Sequence, residues 1–176
     1  MNDNNSKIFV QKSIEQNPKN NVKQLKAQLE WIKRQLDYSE FSNSYKIKMS
    51  IKKGEIFEFD WGVNINAEFS NRHYGVVLKD SMEHEPLVLV CPLKTNKHGA
   101  HPASDIDLGY IESLNSEHKT LAVVNQIRTL DKMRIFTRGA IGDSDIYGVK
   151  IPTLDPKKVE NILTAYFNLI YSKTLY

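Results

Sequence analysis

Between Asn21 and Phe41 the apolar residues fall on one stripe. Val22, Leu25, Leu29, Ile32 and Leu36 recur at spacings of three, four, three and four, with Lys, Gln, Glu and Arg between them. That period is helical, and neither Gly nor Pro interrupts it. The pattern predicts a helix with a narrow apolar seam, about two heptads long. A lone helix of that length is marginal in water, so the seam is expected to pack on its own domain or to pair with another chain. Residues 1–20 are rich in Asn, Lys, Ser and Gln and carry no such stripe, which predicts a frayed start. Residues 42–50 have the composition of a linker.

After Ile51 the period changes from a helical one to two. Lys53 to Asp60 alternates apolar and polar positions, and Trp61-Gly62 closes it. Short apolar or β-branched runs follow at Tyr74–Leu78 and Leu87–Leu93, then the segment Ser104-Asp-Ile-Asp-Leu108, a buried run at Leu121–Ile127 and a short last strand at Ile135–Ile141, separated by polar and Gly-containing loops. Residues 155–171 return to a helical period. Asp155 suits the N-cap and Pro156 the first helical position, while Val159, Ile162, Leu163, Tyr166 and Ile170 share one face. Short, closely spaced strands with a terminal helix predict a mainly β (α+β) fold, a small β-barrel trimmed by that helix. The expected organisation is a flexible N-terminus over 1–20, an amphipathic helical arm and linker over 21–50, and a barrel domain over 51–176.

Charge adds one feature. Of 24 Lys and Arg against 21 Asp and Glu in 176 residues, nine basic and five acidic residues lie in the first 50. The basic excess therefore belongs to the arm, where it reads more often as a solvated helix side than as a nucleic-acid contact. A single cysteine, Cys91, excludes a disulfide framework and a Cys-based zinc site. No run of apolar residues approaches the roughly 20 that a membrane span needs. No apolar stretch follows the N-terminal charges, so the expectation is a cytoplasmic protein with no membrane partner.

Three stretches resemble the MazF/PemK toxin family, the ribosome-independent endoribonucleases of bacterial toxin–antitoxin modules. They are Lys53-Gly-Glu-Ile-Phe-Glu-Phe-Asp60, the pair of Glu68 with Arg72-His73-Tyr-Gly-Val-Val-Leu78, and Leu121-Ala-Val-Val-Asn-Gln-Ile-Arg-Thr-Leu-Asp-Lys132. The likeness runs from residue 51 to about 171. It implies an SH3-like barrel of the MazF/PemK/CcdB type that forms a homodimer and is neutralised by a cognate antitoxin. The implied activity is sequence-selective cleavage of single-stranded mRNA. The neighbouring 2′-hydroxyl attacks the phosphate, giving 2′,3′-cyclic phosphate and 5′-hydroxyl ends, with no metal and no cofactor.

Such chemistry needs a proton acceptor, a proton donor and charge to steady the phosphoryl oxygens. The expected catalytic residues are Arg72, His73, Lys94, Thr95 and Glu68. His73 titrates near neutrality, Arg72 and Lys94 carry positive charge, Thr95 offers a hydroxyl, and Glu68 orients a cation. As strand neighbours, Arg72 and His73 point to opposite faces. RNA contacts are expected from Trp61, Lys97, His98 and Gln126. His98 and His101 lack a carboxylate in phase and make a poor metal site. Three positions depart from the family pattern: His73 stands where the family has Arg, Lys94 where it has Thr, and Asn125 where an acid precedes the Gln. Two rival classes follow, a protein-binding toxin of the gyrase-poison type acting through its aromatic terminal helix, and a catalytically weakened relative.

Overall fold

The computed structural model describes residues 18–42, 49–64, 67–114, 117–136 and 151–171. Two compact units divide the chain, Met1–Tyr45 and Lys46–Tyr176.

The first unit contains α1 (Pro18–Ser42). Its aliphatic seam is open: Val22, Leu25, Leu29, Ile32 and Leu36 are each more than half exposed. The half-buried side runs instead through Ala27, Trp31, Arg34 and Tyr38, with the Arg34 guanidinium 5.5 Å from the Trp31 ring centre. These residues also recur at helical spacing, so the helix carries two stripes. The broad amphipathic side chains, not the aliphatic ones, are the covered set. Of the expected frayed start over 1–20, residues 1–17 lie outside the described residues and Pro18 to Asn20 already belong to α1; most of the linker lies outside them as well.

In the second unit seven strands form one antiparallel sheet: β1 (Ile56–Asp60), β2 (Arg72–Val77), β3 (Leu87–Thr95), β4 (Asp105–Asp107), β5 (Thr120–Val123), β6 (Arg128–Asp131) and β7 (Ile135–Phe136). Their order is β4-β5-β3-β2-β1-β7, with β6 also on β3. The nine-residue β3 organises this arrangement. Leu87 to Val90 pair with β6, Leu93 to Thr95 with β5, and Val90 to Pro92 with β2. The run predicted as one strand over Leu121–Ile127 is broken by a 3-10 turn at Val124–Gln126, after which β6 resumes along β3.

The expected barrel is not formed. The sheet is open, and the fold is α+β rather than mainly β, with helices of 25 and 16 residues flanking it in sequence. Closure requires the end strands to pair with each other. Among the described residues those ends are β4, three residues paired with β5 alone, and β7, two residues paired with β1 alone. Elements this short offer too few ladder hydrogen bonds to bridge the gap. The predicted continuation of β7 to Ile141 lies outside the described residues.

The helix α2 (Pro156–Tyr171) begins as its sequence predicts. The Asp155 side chain accepts a 2.8 Å hydrogen bond from the Lys157 N–H, capping a donor that the helix leaves free. Val159 and Ile162 bury against Ile56, Val76, Leu93 and Ala122 in one core. A second core holds Ile51, Phe57, Phe59, Trp61, Val77, Val88, Val90, Leu130 and Ile135. Alternation along β1 and β2 feeds both, which is the period-two pattern made physical.

Gly75 in β2 marks a close approach. A Cβ built there would stand 2.5 Å from Val90 Cγ1 and 3.0 Å from the Trp61 ring. The absent side chain is what lets Trp61 lie across the strand. Gly75→Ala is expected to cost about 1–3 kcal/mol through overpacking, read as a lower urea midpoint with an unchanged m-value. Wild-type stability in that variant would show that the ring shifts aside without strain.

Candidate active site

Two strand ends build the site. At the start of β2, His73 pairs with Phe59 of β1 and Arg72 with Asp60. At the end of β3, Lys94 and Thr95 pair with Leu121 and Thr120 of β5. A cleft of about 320 Å³ opens between these ends, lined by His73, Tyr74, Leu93, Lys94, Thr95, Lys97, Leu114 and Thr120. It thus gathers an imidazole, two ammonium groups and two threonine hydroxyls from separate stretches of sequence.

His73 is held at both its backbone and its ring. Its carbonyl accepts a 3.1 Å hydrogen bond from the Trp61 indole, and its ring centre lies 4.6 Å from that of Phe69. Partial burial pushes its pKa below the usual 6.5, while the Glu58 carboxylate pulls the other way. At pH 7 the imidazole is therefore predominantly neutral, the form that accepts a proton.

Lys94 is fixed differently. Its Nζ lies 2.7 Å from Asp105 Oδ2, and the Asp105 side chain is almost fully buried. Asp105 also accepts hydrogen bonds from the His101 N–H at 2.7 Å and the Ser104 hydroxyl at 3.3 Å. Burial would raise its pKa, but the Lys94 and His101 hydrogen bonds outweigh it and hold the carboxyl below the usual carboxylate range. Lys97 follows Thr95 in a turn in which its N–H bonds the Thr95 carbonyl at 3.0 Å.

The remaining predicted residues sit elsewhere. Arg72, facing away from His73 as strand geometry requires, places its guanidinium 3.6 Å from the Phe136 ring centre. His98 is exposed and does not line the cleft. Trp61 is only 1 % exposed and packs against Phe59, Phe69 and the Arg128 guanidinium. No ring face is left to stack a base, and its part in the site is the bond to His73. Gln126 accepts the Phe69 N–H at 3.3 Å through its side-chain oxygen. Arg128 donates to the carbonyls of Trp61 and Phe69 at 2.8 and 3.2 Å. Burial lowers the Arg128 pKa, with Arg134 adding to the shift and the Glu68 charge opposing it. Glu68 therefore acts electrostatically on Arg128, and Gln126 and Arg128 hold the loop between β1 and β2. Cys91 is fully buried with its thiol pushed up to about 12, which removes it as a nucleophile.

Sequence reasoning missed Asp105, Tyr74 and Thr120. The acids alternating with Ile106 and Leu108 in Ser104-Asp-Ile-Asp-Leu108 were the available clue for Asp105, but its partner lies two strands away. Among the described residues, no three His, Cys, Asp or Glu side chains are grouped to hold a metal ion, and no helix is long and apolar enough to cross a membrane.

A family model described as PemK-like, MazF-like toxin of type II toxin–antitoxin system matches residues 52–165. Among solved structures, the chain is similar to an endoribonuclease in complex with its cognate antitoxin from a mycobacterial species. The identity is 14%, the match covers 68% of this chain and 94% of that one, and the TM-score is 0.42. No curated protein matches the chain. The family match runs from just before β1 into α2 and takes in every strand that walls the cleft, so the chain belongs to the PemK-like, MazF-like toxin family of type II toxin–antitoxin systems.

Proposed function

We propose that the chain is an endoribonuclease toxin that cleaves single-stranded RNA sequence-selectively by 2′-hydroxyl attack. The observation that carries this reading is the convergence of His73, Lys94, Thr95 and Lys97 on one cleft. Neutral His73 takes the proton of the 2′-hydroxyl as its oxygen attacks phosphorus. Lys94, Lys97 and the Thr95 hydroxyl steady the charge that builds on the phosphoryl oxygens. The P–O5′ bond breaks and the leaving oxygen takes a proton from solvent water, giving a 2′,3′-cyclic phosphate and a 5′-hydroxyl. A histidine base replaces the arginine of the family pattern, and the lysine supplies the fixed positive charge. The partners assigned by this reading are single-stranded mRNA, a cognate antitoxin and a second copy of the chain.

A protein-binding toxin is the second reading, and α2 is its observation. Phe167, Ile170 and Tyr171 are each more than half exposed, with the Phe167 and Tyr171 rings stacked 4.3 Å apart. One experiment separates the two. Purified full-length protein is incubated with long single-stranded RNA in excess EDTA and the new ends are analysed. Discrete fragments with cyclic phosphate ends are the expected result. Intact RNA over a range of sequences would remove the nuclease reading and leave the α2 surface as the functional feature.

A further inference from the structure

Lys94 is the cleft's best-anchored cation, and its anchor lies outside the cleft. Lys94 on β3 and Asp107 on β4 both stand opposite Leu121 of the intervening β5. Lys94, Asp105 and Asp107 therefore share one face of the sheet, by the two-residue period. Asp107 turns to Lys119 at 3.2 Å, both half exposed, as an ordinary surface pair. Asp105 is different. Its side chain is 1 % exposed, and Ser104, the His101 N–H and the Lys94 ammonium surround the carboxylate. The His101 and Ser104 bonds fix the carboxylate itself, so the ion pair has a rigid end and a mobile end. The mobile end is Lys94, about one third exposed and facing the cleft beside Thr95.

Resting on the ribonuclease reading, we propose that Asp105 is a positioning residue. It holds the Lys94 ammonium where negative charge develops on the phosphate, without itself touching RNA. An ammonium has three donor positions. One is spent on Asp105, and the other two point where the stem allows. A lysine without this anchor samples many rotamers and must be ordered during each turnover. Anchoring moves that cost into folding and serves the transition state. The carboxylate also removes net positive charge from the cleft wall, so it works against tight binding of the uncleaved strand. Positioning and ground-state attraction are thus separable by experiment.

Asp105→Asn in the full-length protein keeps the shape and, with its amide oxygen in the Oδ2 place, the acceptor that the His101 N–H shares with Lys94, but it removes the negative charge that holds the Lys94 ammonium. With a short RNA holding one cleavage site, kcat is expected to fall about tenfold or more. KM should stay unchanged or fall, because the charge that offset Lys94 from behind the cleft wall is gone. A merely structural defect would lower the active fraction and the melting temperature, with no tightening of KM. The double variant Asp105→Asn with Lys94→Met should be no slower than Lys94→Met alone, since both changes act through one group. Independent, multiplicative losses in that cycle would overturn the proposal. So would a kcat that Asp105→Asn leaves untouched while the wild-type enzyme cleaves. Side-chain NMR of the Lys94 ammonium gives a readout free of RNA: slowly exchanging in the wild type, fast in Asp105→Asn. If wild-type protein leaves RNA intact but this signature changes, the ribonuclease reading has failed and the Asp105–Lys94 anchor has not. An unchanged signature in an active enzyme removes the anchor.

Discussion

His73→Ala is expected to lower RNA cleavage by about a hundredfold or more, the usual loss when a positioned general base is removed. The expectation rests on place and on protonation state. His73 lines the cleft with Lys94, Thr95 and Lys97, and its backbone is pinned by the Trp61 indole. Partial burial holds its pKa below 6.5 against the opposing charge of Glu58. The sign then follows. A base works in its deprotonated form, so kcat/KM should rise with pH along an acid limb centred below 6.5. In His73→Ala that limb should vanish along with the rate. Arg72→Ala is the internal control, because its guanidinium sits over Phe136 rather than in the cleft, and it should lose far less. Near-wild-type cleavage by His73→Ala would remove the imidazole from the mechanism, and an acid limb that survived the substitution would assign it to another group.

That contrast shows where the sequence was legible. Period-two alternation located β1, short apolar or β-branched runs located β2 and β3, and the Asp155-Pro156 pair located the start of α2, because each rests on neighbours in the chain. The strand parity of Arg72 and His73 separated their faces, although nothing local said which face carried the cleft. Closure of the sheet was not legible. It depends on whether the end strands meet, and turns such as Val124–Gln126 decide that by shifting register between β5 and β6. The segment Gln126 to Lys132 was the most specific motif, and its residues serve mainly the framework. Gln126 and Arg128 hold the β1–β2 loop, and Lys132 is buried. Residue type suggested contact with RNA; the hydrogen-bond partners were distant in sequence, 57 to 83 residues away, and so invisible to any local pattern.

Lys132 leads to the second large expectation. It is 1 % exposed, yet among the described residues no carboxylate pairs with it directly. Its ammonium donates to the carbonyls of Met49 at 2.7 Å and Met82 at 2.6 Å, and its N–H to the Pro86 carbonyl at 2.8 Å. The side chain thus ties the entry to the second unit and the β2–β3 connection to the 3-10 turn after β6. Burial lowers its pKa, with Glu85, Asp131 and Glu83 opposing from a distance. Two costs compete on substitution. Losing a buried charge relieves desolvation, but two carbonyls lose their donor, each at about 1–3 kcal/mol when buried and unpaired. The stem's packing adds a cavity cost if the replacement is small. Lys132→Met keeps the stem and should lose about 1–3 kcal/mol, whereas Lys132→Ala should lose more, about 2–4 kcal/mol. Urea unfolding with unchanged m-values checks both. The pH dependence carries a second sign. With a folded pKa below the usual 10.5, the unfolded chain binds more protons between the two values, so wild-type stability should gain a rising component there that Lys132→Met lacks. Wild-type stability in Lys132→Met would mean that water satisfies both carbonyls and that this lysine ties nothing together.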